Sequence, residues 1–183
     1  MRQIVRLAMI PAVLLMTTLS FAQLQAGQSA QEPVFRTPFD LKLHMDKEHY
    51  YQQHFDKVPY VIENDVYLFA GESFGINVTV TDNQISGVTY QPDPAKSDVW
   101  FIFTQEISKG VPEMMMLVTR NGLKHRLLFD ALMTVPDKKG IFKTSIIPIE
   151  PGLSNYESWP HLIVQLVLRN FRFVESNSAL PRK

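Results

Sequence analysis

The sequence predicts an all-β fold, an antiparallel β-sandwich of Ig-like or jelly-roll-like topology, on three observations. Segments of strict apolar/polar alternation recur along the chain, and period two is the signature of a half-buried strand. Turn-forming residues punctuate these segments at intervals of about ten residues, the spacing of small sandwiches and barrels. The chain is 183 residues long and 45% apolar, which supplies one ordinary core and argues against disorder.

The amino terminus, MRQIVRLAMIPAVLLMTTLSFAQLQA, opens with Arg2 and Arg6, runs apolar from Leu7 to Phe21, and exits through the small residues Ser20, Ala22 and Ala26. That is the pattern of a secretory signal peptide. The apolar run is shorter than the roughly 20 residues that span a bilayer, and Pro11 interrupts it. Residues 1–22 are therefore read as a leader, with cleavage as late as 26, and no stable membrane anchor is expected after it is removed. Residues 23–36 are read as a flexible lead-in, 37–174 as a single sandwich domain and 175–183 as a polar tail. The expected location is secreted or periplasmic.

The first strand is PFDLKLHMD. Phe39, Leu41, Leu43 and Met45 point inward, and Asp40, Lys42, His44 and Asp46 point to solvent. The polar stretch from Lys47 to Lys57 breaks the alternation and reads as one short helix or structured loop near 46–57, with Asp46 as its N-cap. Strands resume at Val58 to Ile62 and Val66 to Phe69, separated by the turn Glu63-Asn64-Asp65. Ala70 to Ser73 turns the chain, Ile76 to Val80 alternates, Asp82-Asn83 turns it again, and Ile85 to Tyr90 returns. QPDPAKSD is a loop by its prolines and aspartates. VWFIFTQ, apolar at successive positions, reads as a central strand covered on both faces.

Asn121-Gly122 is the strongest hairpin signal in the chain, because a type I′ turn needs residues tolerant of positive φ. The register it implies puts Met114, Met116 and Val118 on the core face, opposite Phe129, Leu127 and His125. Pro136 to Gly140 is a turn, Ile141 to Ile149 a strand, and Pro151-Gly152 another turn. The last strand buries Leu162, Val164, Leu166 and Leu168. It then changes face to Phe171 and Phe173, which needs a bulge near Asn170. Eight or nine strands result.

Charge and composition narrow the function. Basic and acidic side chains balance at 18 each, without a basic run interleaved with aromatics, so nucleic acid is a poor partner. The chain has no cysteine. Thiol nucleophiles and Cys-type zinc sites are thereby removed, and the core must hold without disulfides. No Gly-x-Ser-x-Gly, His-Glu-x-x-His or phosphate-binding glycine loop occurs, and no catalytic residues are assigned.

Three histidines lie in LHMDKEHYYQQHFDK, spaced His-x4-His-x4-His. On a helix five residues advance about 500°, and on a strand an odd step reverses the face, so no single regular element gathers all three. His44 and Asp46 share a strand face, and His49 or Glu48 after a turn could complete a divalent-metal site. The competing reading is a solvated strand face. Other candidates carry the same tension. Asp93, Ser97 and Asp98 offer oxygen ligands for calcium, but without the spacing of an EF-hand. Met114, Met115 and Met116 offer soft thioethers, or core packing. Asn77-Val78-Thr79 matches a glycosylation acceptor inside a strand.

Tyr156 and Trp159, read as lying in a loop before the last strand, and Tyr50 and Tyr51 are the aromatic candidates for ligand contact. The leading expectation is an exported, non-enzymatic module that binds a protein or carbohydrate partner outside the cytoplasm, through end loops or an open sheet face. One alternative is a metal-dependent enzyme or metal-binding protein using His44, Asp46 and His49. Another is a structural subunit or assembly factor of a cell-envelope complex, in which edge strands accept a partner strand.

Overall fold

The structure, a computed structural model, describes residues 32–175. Alternating segments form twelve strands there: β1 (Phe39–His44), β2 (Tyr50–Phe55), β3 (Val61–Ile62), β4 (Asp65–Leu68), β5 (Glu72–Thr81), β6 (Gln84–Gln91), β7 (Val99–Ser108), β8 (Val111–Asn121), β9 (Leu127–Thr134), β10 (Phe142–Thr144), β11 (Ser154–Trp159) and β12 (Gln165–Phe173). They assemble into two five-stranded antiparallel sheets, β10-β9-β12-β4-β3 and β11-β8-β7-β5-β6, with a separate β1-β2 hairpin. The sandwich is as expected, with twelve strands in place of eight or nine.

The core lies between the sheets. Phe101 of one faces Phe129 and Phe171 of the other at ring separations of 6.2 and 6.4 Å. Fully buried Leu68, Leu127, Ala131, Leu166 and Leu168 line one side, and Phe103, Leu117 and Ile76 the other. The face change in the last strand is present. The β9–β12 register shifts between Arg169 and Arg172, and Asn170 takes φ 54°, which returns Phe171 to the core.

Several local expectations fail. The stretch 46–57 holds no helix. Instead β2 pairs with β1 from Phe39 opposite Phe55 to His44 opposite Tyr50. The connection closes because the Asp46 carboxylate accepts from the backbone N–H groups of Glu48 and His49, both at 2.8 Å. Asp46 therefore caps a hairpin loop, and Met45, expected inside, is exposed beyond the strand end. The inner face of the hairpin packs Phe39 and Phe55 on Phe69, at 5.1 and 4.7 Å.

Asn121-Gly122 does not make a hairpin. β8 pairs with β7 and β11, while β9 pairs with β10 and β12, so the chain crosses between sheets at this point. Neither residue has positive φ. Asn121 is completely buried, and its amide nitrogen donates to the carbonyls of His125 and Ile149, both at 2.9 Å. The hairpin partner of β8 is β7, through Lys109 and Gly110 at φ 50° and 79°. With the partner changed, the core face of β8 is the opposite one: Met115, Leu117 and Thr119 are buried, and Met114 is exposed.

SNYESW, expected in a loop, is β11, an edge strand paired with β8 from Ser154 opposite Arg120 to Trp159 opposite Met115. Ile141 to Ile149 shrinks to the three residues of β10 and a bridge from Ile149 to Leu127. The end of the expected lead-in is fixed to the domain, because Phe35 bridges Pro59 and Arg36 is 5% exposed. The leader and most of the tail lie outside the described residues.

Candidate functional site

The four aromatic candidates do not form one site. Trp159 is buried, and its indole N–H donates to the Thr144 hydroxyl at 2.9 Å. It is a core residue closing the edge of the sandwich. Tyr50 lies on the outer face of the hairpin, 4.6 Å from the His44 ring and with the Lys42 ammonium 3.8 Å from its own ring centre. Tyr51 is on the inner face. It lines a groove of about 530 Å³ with Phe55, Pro136, Lys138 and Lys139, and its hydroxyl donates to the Gln53 side chain. Partial burial, and then the Asp137 carboxylate, push that phenol up. Only Tyr156 of the four stands well out from a sheet, at 67% exposure.

The histidines are dispersed as well. Asp46 and His49 contact each other at 2.8 Å on an exposed loop. The Glu48 backbone N–H, and then the His49 imidazole, hold the Asp46 carboxyl down at about 2. His54 Nδ1 donates to the Asp40 carboxylate at 2.7 Å across the hairpin, and that hydrogen bond chiefly raises its pKa. The backbone of His44 is clamped by Gln105, which accepts from its N–H at 2.9 Å and donates to its carbonyl at 2.7 Å. Its Nδ1 is buried and has no hydrogen-bond partner among the described residues. Among the described residues no three His, Asp or Glu side chains come together to hold a metal ion, so His44, Asp46 and His49 do not form the expected ligand set. The oxygens of the calcium candidate are used by backbone amides: Asp93 accepts from the Ala95 N–H within the loop at 2.9 Å, and Asp98 from the Val78 N–H of β5 at 2.9 Å.

What the register does gather is an apolar strip on the outer face of the β11-β8-β7-β5-β6 sheet. Tyr156 is opposite Val118, Val118 is opposite Ile102, and Ile102 is opposite Ser73. Directly opposed residues share a face and touch across neighbouring strands. The rows on either side run Ser154, Arg120, Trp100 and Ser158, Met116, Thr104. Ile102 is 37% and Met114 38% exposed, and Trp100, Met116 and Val118 are half-buried. From Tyr156 to Ile102 the strip crosses three strands, about 10 Å at the ordinary strand spacing.

Sequence reading missed this face because it assigned VWFIFTQ two covered sides and Met114, Met116 and Val118 to the core. β7 is the middle strand, as expected, but one of its faces is covered and the other is open. The signal was present: a two-layer sandwich covers one face of each sheet, so outward apolar residues at positions 100, 102, 116 and 118 exceed what it can hide.

No protein-family model matches the chain, and no curated protein or solved structure is significantly similar to it.

Proposed function

We propose that the protein is an exported, non-enzymatic binding module that takes a protein partner on the outer face of the β11-β8-β7-β5-β6 sheet. The observation that carries this reading is the cross-strand row Tyr156–Val118–Ile102, apolar and partly open to solvent. The residues around it are Trp100, Met114, Met116 and Arg120. Tyr, Trp, Met and Arg are the types enriched where proteins meet, and contiguous apolar surface of this kind marks contact sites. The leader pattern supports export. Among the described residues no helix is long and apolar enough to cross a membrane.

A protein fits better than a sugar because branched aliphatic and thioether side chains flank the aromatics, where a sugar site would place amides and carboxylates beside its stacking rings. The test is a pair of variants, Ile102→Lys with Val118→Lys, and Tyr156→Ser alone, compared with wild type for crosslinked partner in the native envelope. Both should keep the wild-type melting temperature and lose the adduct. Retention of the adduct by both would contradict the reading, and Tyr156-dependent binding on a glycan array would replace the protein partner with a sugar.

A further inference from the structure

The β1-β2 hairpin is a separate two-stranded sheet, and the free edge of β2 is open. The Met45 N–H donates to the His49 carbonyl at 2.9 Å, and hydrogen-bonded pairs of an antiparallel ladder recur at every second position. Tyr51, Gln53 and Phe55 therefore turn their backbone groups toward β1. Those of Tyr50, Gln52 and His54 point outward, and among the described residues no other segment is hydrogen-bonded to them. The same alternation turns the backbone of His44 out from the opposite edge, and there Gln105 takes its N–H and carbonyl at 2.9 and 2.7 Å.

Exposed edges are ordinarily blocked by cover, brevity, inward charge, proline or bulges. β6 is covered by Asn64, whose side chain accepts from the Val88 N–H at 2.8 Å. β3 and β10 have two and three residues, and β11 carries Glu157, which accepts from the Ile147 N–H. β2, YYQQHF, has six residues, no Asp, Glu, Lys or Pro, and no register shift. Its Tyr51 and Phe55 line the groove of about 530 Å³, where Val135, Pro136 and Val164 add apolar surface. Lys138 and Lys139 line it too, and with Asp137 they leave it a net positive charge. The lysine ion pairs among the described residues belong to Lys96 and Lys143, so both groove lysines are exposed and without a carboxylate partner.

We infer that β2 takes an extended acidic segment of a partner protein as the third strand of this hairpin. The outward backbone groups at 50, 52 and 54 form the ladder, the groove takes alternate apolar side chains, and the lysines take the carboxylate. A two-stranded hairpin is marginal by itself and gains from a third strand. A second copy of β2 fits less well, because YYQQHF brings no carboxylate to the lysines. This edge is distinct from the outer face of the β11-β8-β7-β5-β6 sheet, so either reading can fail while the other stands.

The test is NMR titration of the purified protein with a short acetylated peptide of alternating valine and threonine carrying glutamate at each end. It should bind with a dissociation constant below about 1 mM, shift the amides of Tyr50, Gln52 and His54, and slow their hydrogen exchange. Lys138→Glu combined with Lys139→Glu should weaken binding about 10-fold or more. Gln52→Pro removes an N–H that β1 does not use, as an edge strand tolerates; it should keep the melting temperature and abolish binding. The lysine variant, confined to exposed side chains, carries the test should Gln52→Pro not fold. Ile102→Lys with Val118→Lys should bind the peptide as the wild type does. No saturation at millimolar peptide, equal affinity for a peptide ending in lysines, or unchanged binding in the lysine variant would each overturn the inference. So would loss of binding in Ile102→Lys with Val118→Lys, or protection of the three amides by self-association without peptide.

Discussion

Arg36 and Glu72 form a two-pronged ion pair, Nε to Oε1 at 2.5 Å and Nη2 to Oε2 at 2.8 Å, around an arginine side chain that is 3% exposed. The guanidinium also donates to the carbonyls of Pro59 and Tyr67, both at 2.6 Å, and stacks 4.0 Å above the Tyr60 ring. Glu72 in turn accepts from the Phe69 N–H at 2.8 Å. This pair locks residues 34–36 onto the turn between β4 and β5. Removing one partner leaves a buried charge uncompensated, which costs about 3 to 5 kcal/mol. Glu72→Ala should lower the urea midpoint accordingly, and a loss under about 1 kcal/mol would show that the carbonyls suffice.

Asn121 pins the crossing between the sheets. Beyond its side-chain donations, its N–H donates to the Leu153 carbonyl at 2.9 Å, and its carbonyl accepts from the Gly152 N–H at 2.8 Å. Asn121→Ala strands buried carbonyls and should cost about 1 to 3 kcal/mol. Asn121→Gly should be at least as damaging. A type I′ turn would tolerate glycine at little cost, so a neutral Asn121→Gly variant would restore the hairpin reading.

Trp159→Ala should destabilise the fold by about 3 to 5 kcal/mol, as large buried aromatics do, measured by chemical denaturation. It removes a 7% exposed indole and orphans the Thr144 hydroxyl. A Trp159→Ala variant with unchanged stability would return Trp159 to the surface contacts.

His54 and Asp40 make one strand pair pH-sensitive. Asp40 raises the pKa of His54 above its ordinary 6.5. A raised folded-state pKa gives stability that is fully present below 6.5 and is lost as pH rises through the folded value. Asp46 acts at the other end of the scale. Lowered from 3.8 to about 2, it supports the hairpin loop above 3.8 and releases it as pH falls toward 2. An NMR titration should place the His54 midpoint above 6.5 and return it toward that value in Asp40→Asn. Equal midpoints in the two proteins would remove the pair.

The sandwich was legible because inward Leu41 and Leu43 alternate with Asp40, Lys42 and His44, and because the turns at Glu63-Asn64 and Asp82-Asn83 take the positive φ their residues favour. Strand partners were not legible. Asn-Gly states a local preference, and the buried carbonyls around Asn121 override it. β11 was hidden because two of its inward residues, Asn155 and Glu157, are polar; Asn155 donates to Glu157 at 2.8 Å, and Glu157 accepts from the Ile147 N–H at 3.1 Å. The outer-face strip was hidden for a third reason. Which side of an apolar strand is covered depends on the second layer, and that information lies elsewhere in the chain.

The most direct measurement of partner binding places a photo-crosslinking amino acid at Tyr156, with a control at Thr81, which lies beyond the segment of β5 paired with β7. Irradiation of the exported protein in its native envelope should give one discrete adduct from position 156 and none from 81. Adducts from both positions, or from 81 alone, would contradict a partner surface on the outer face of this sheet.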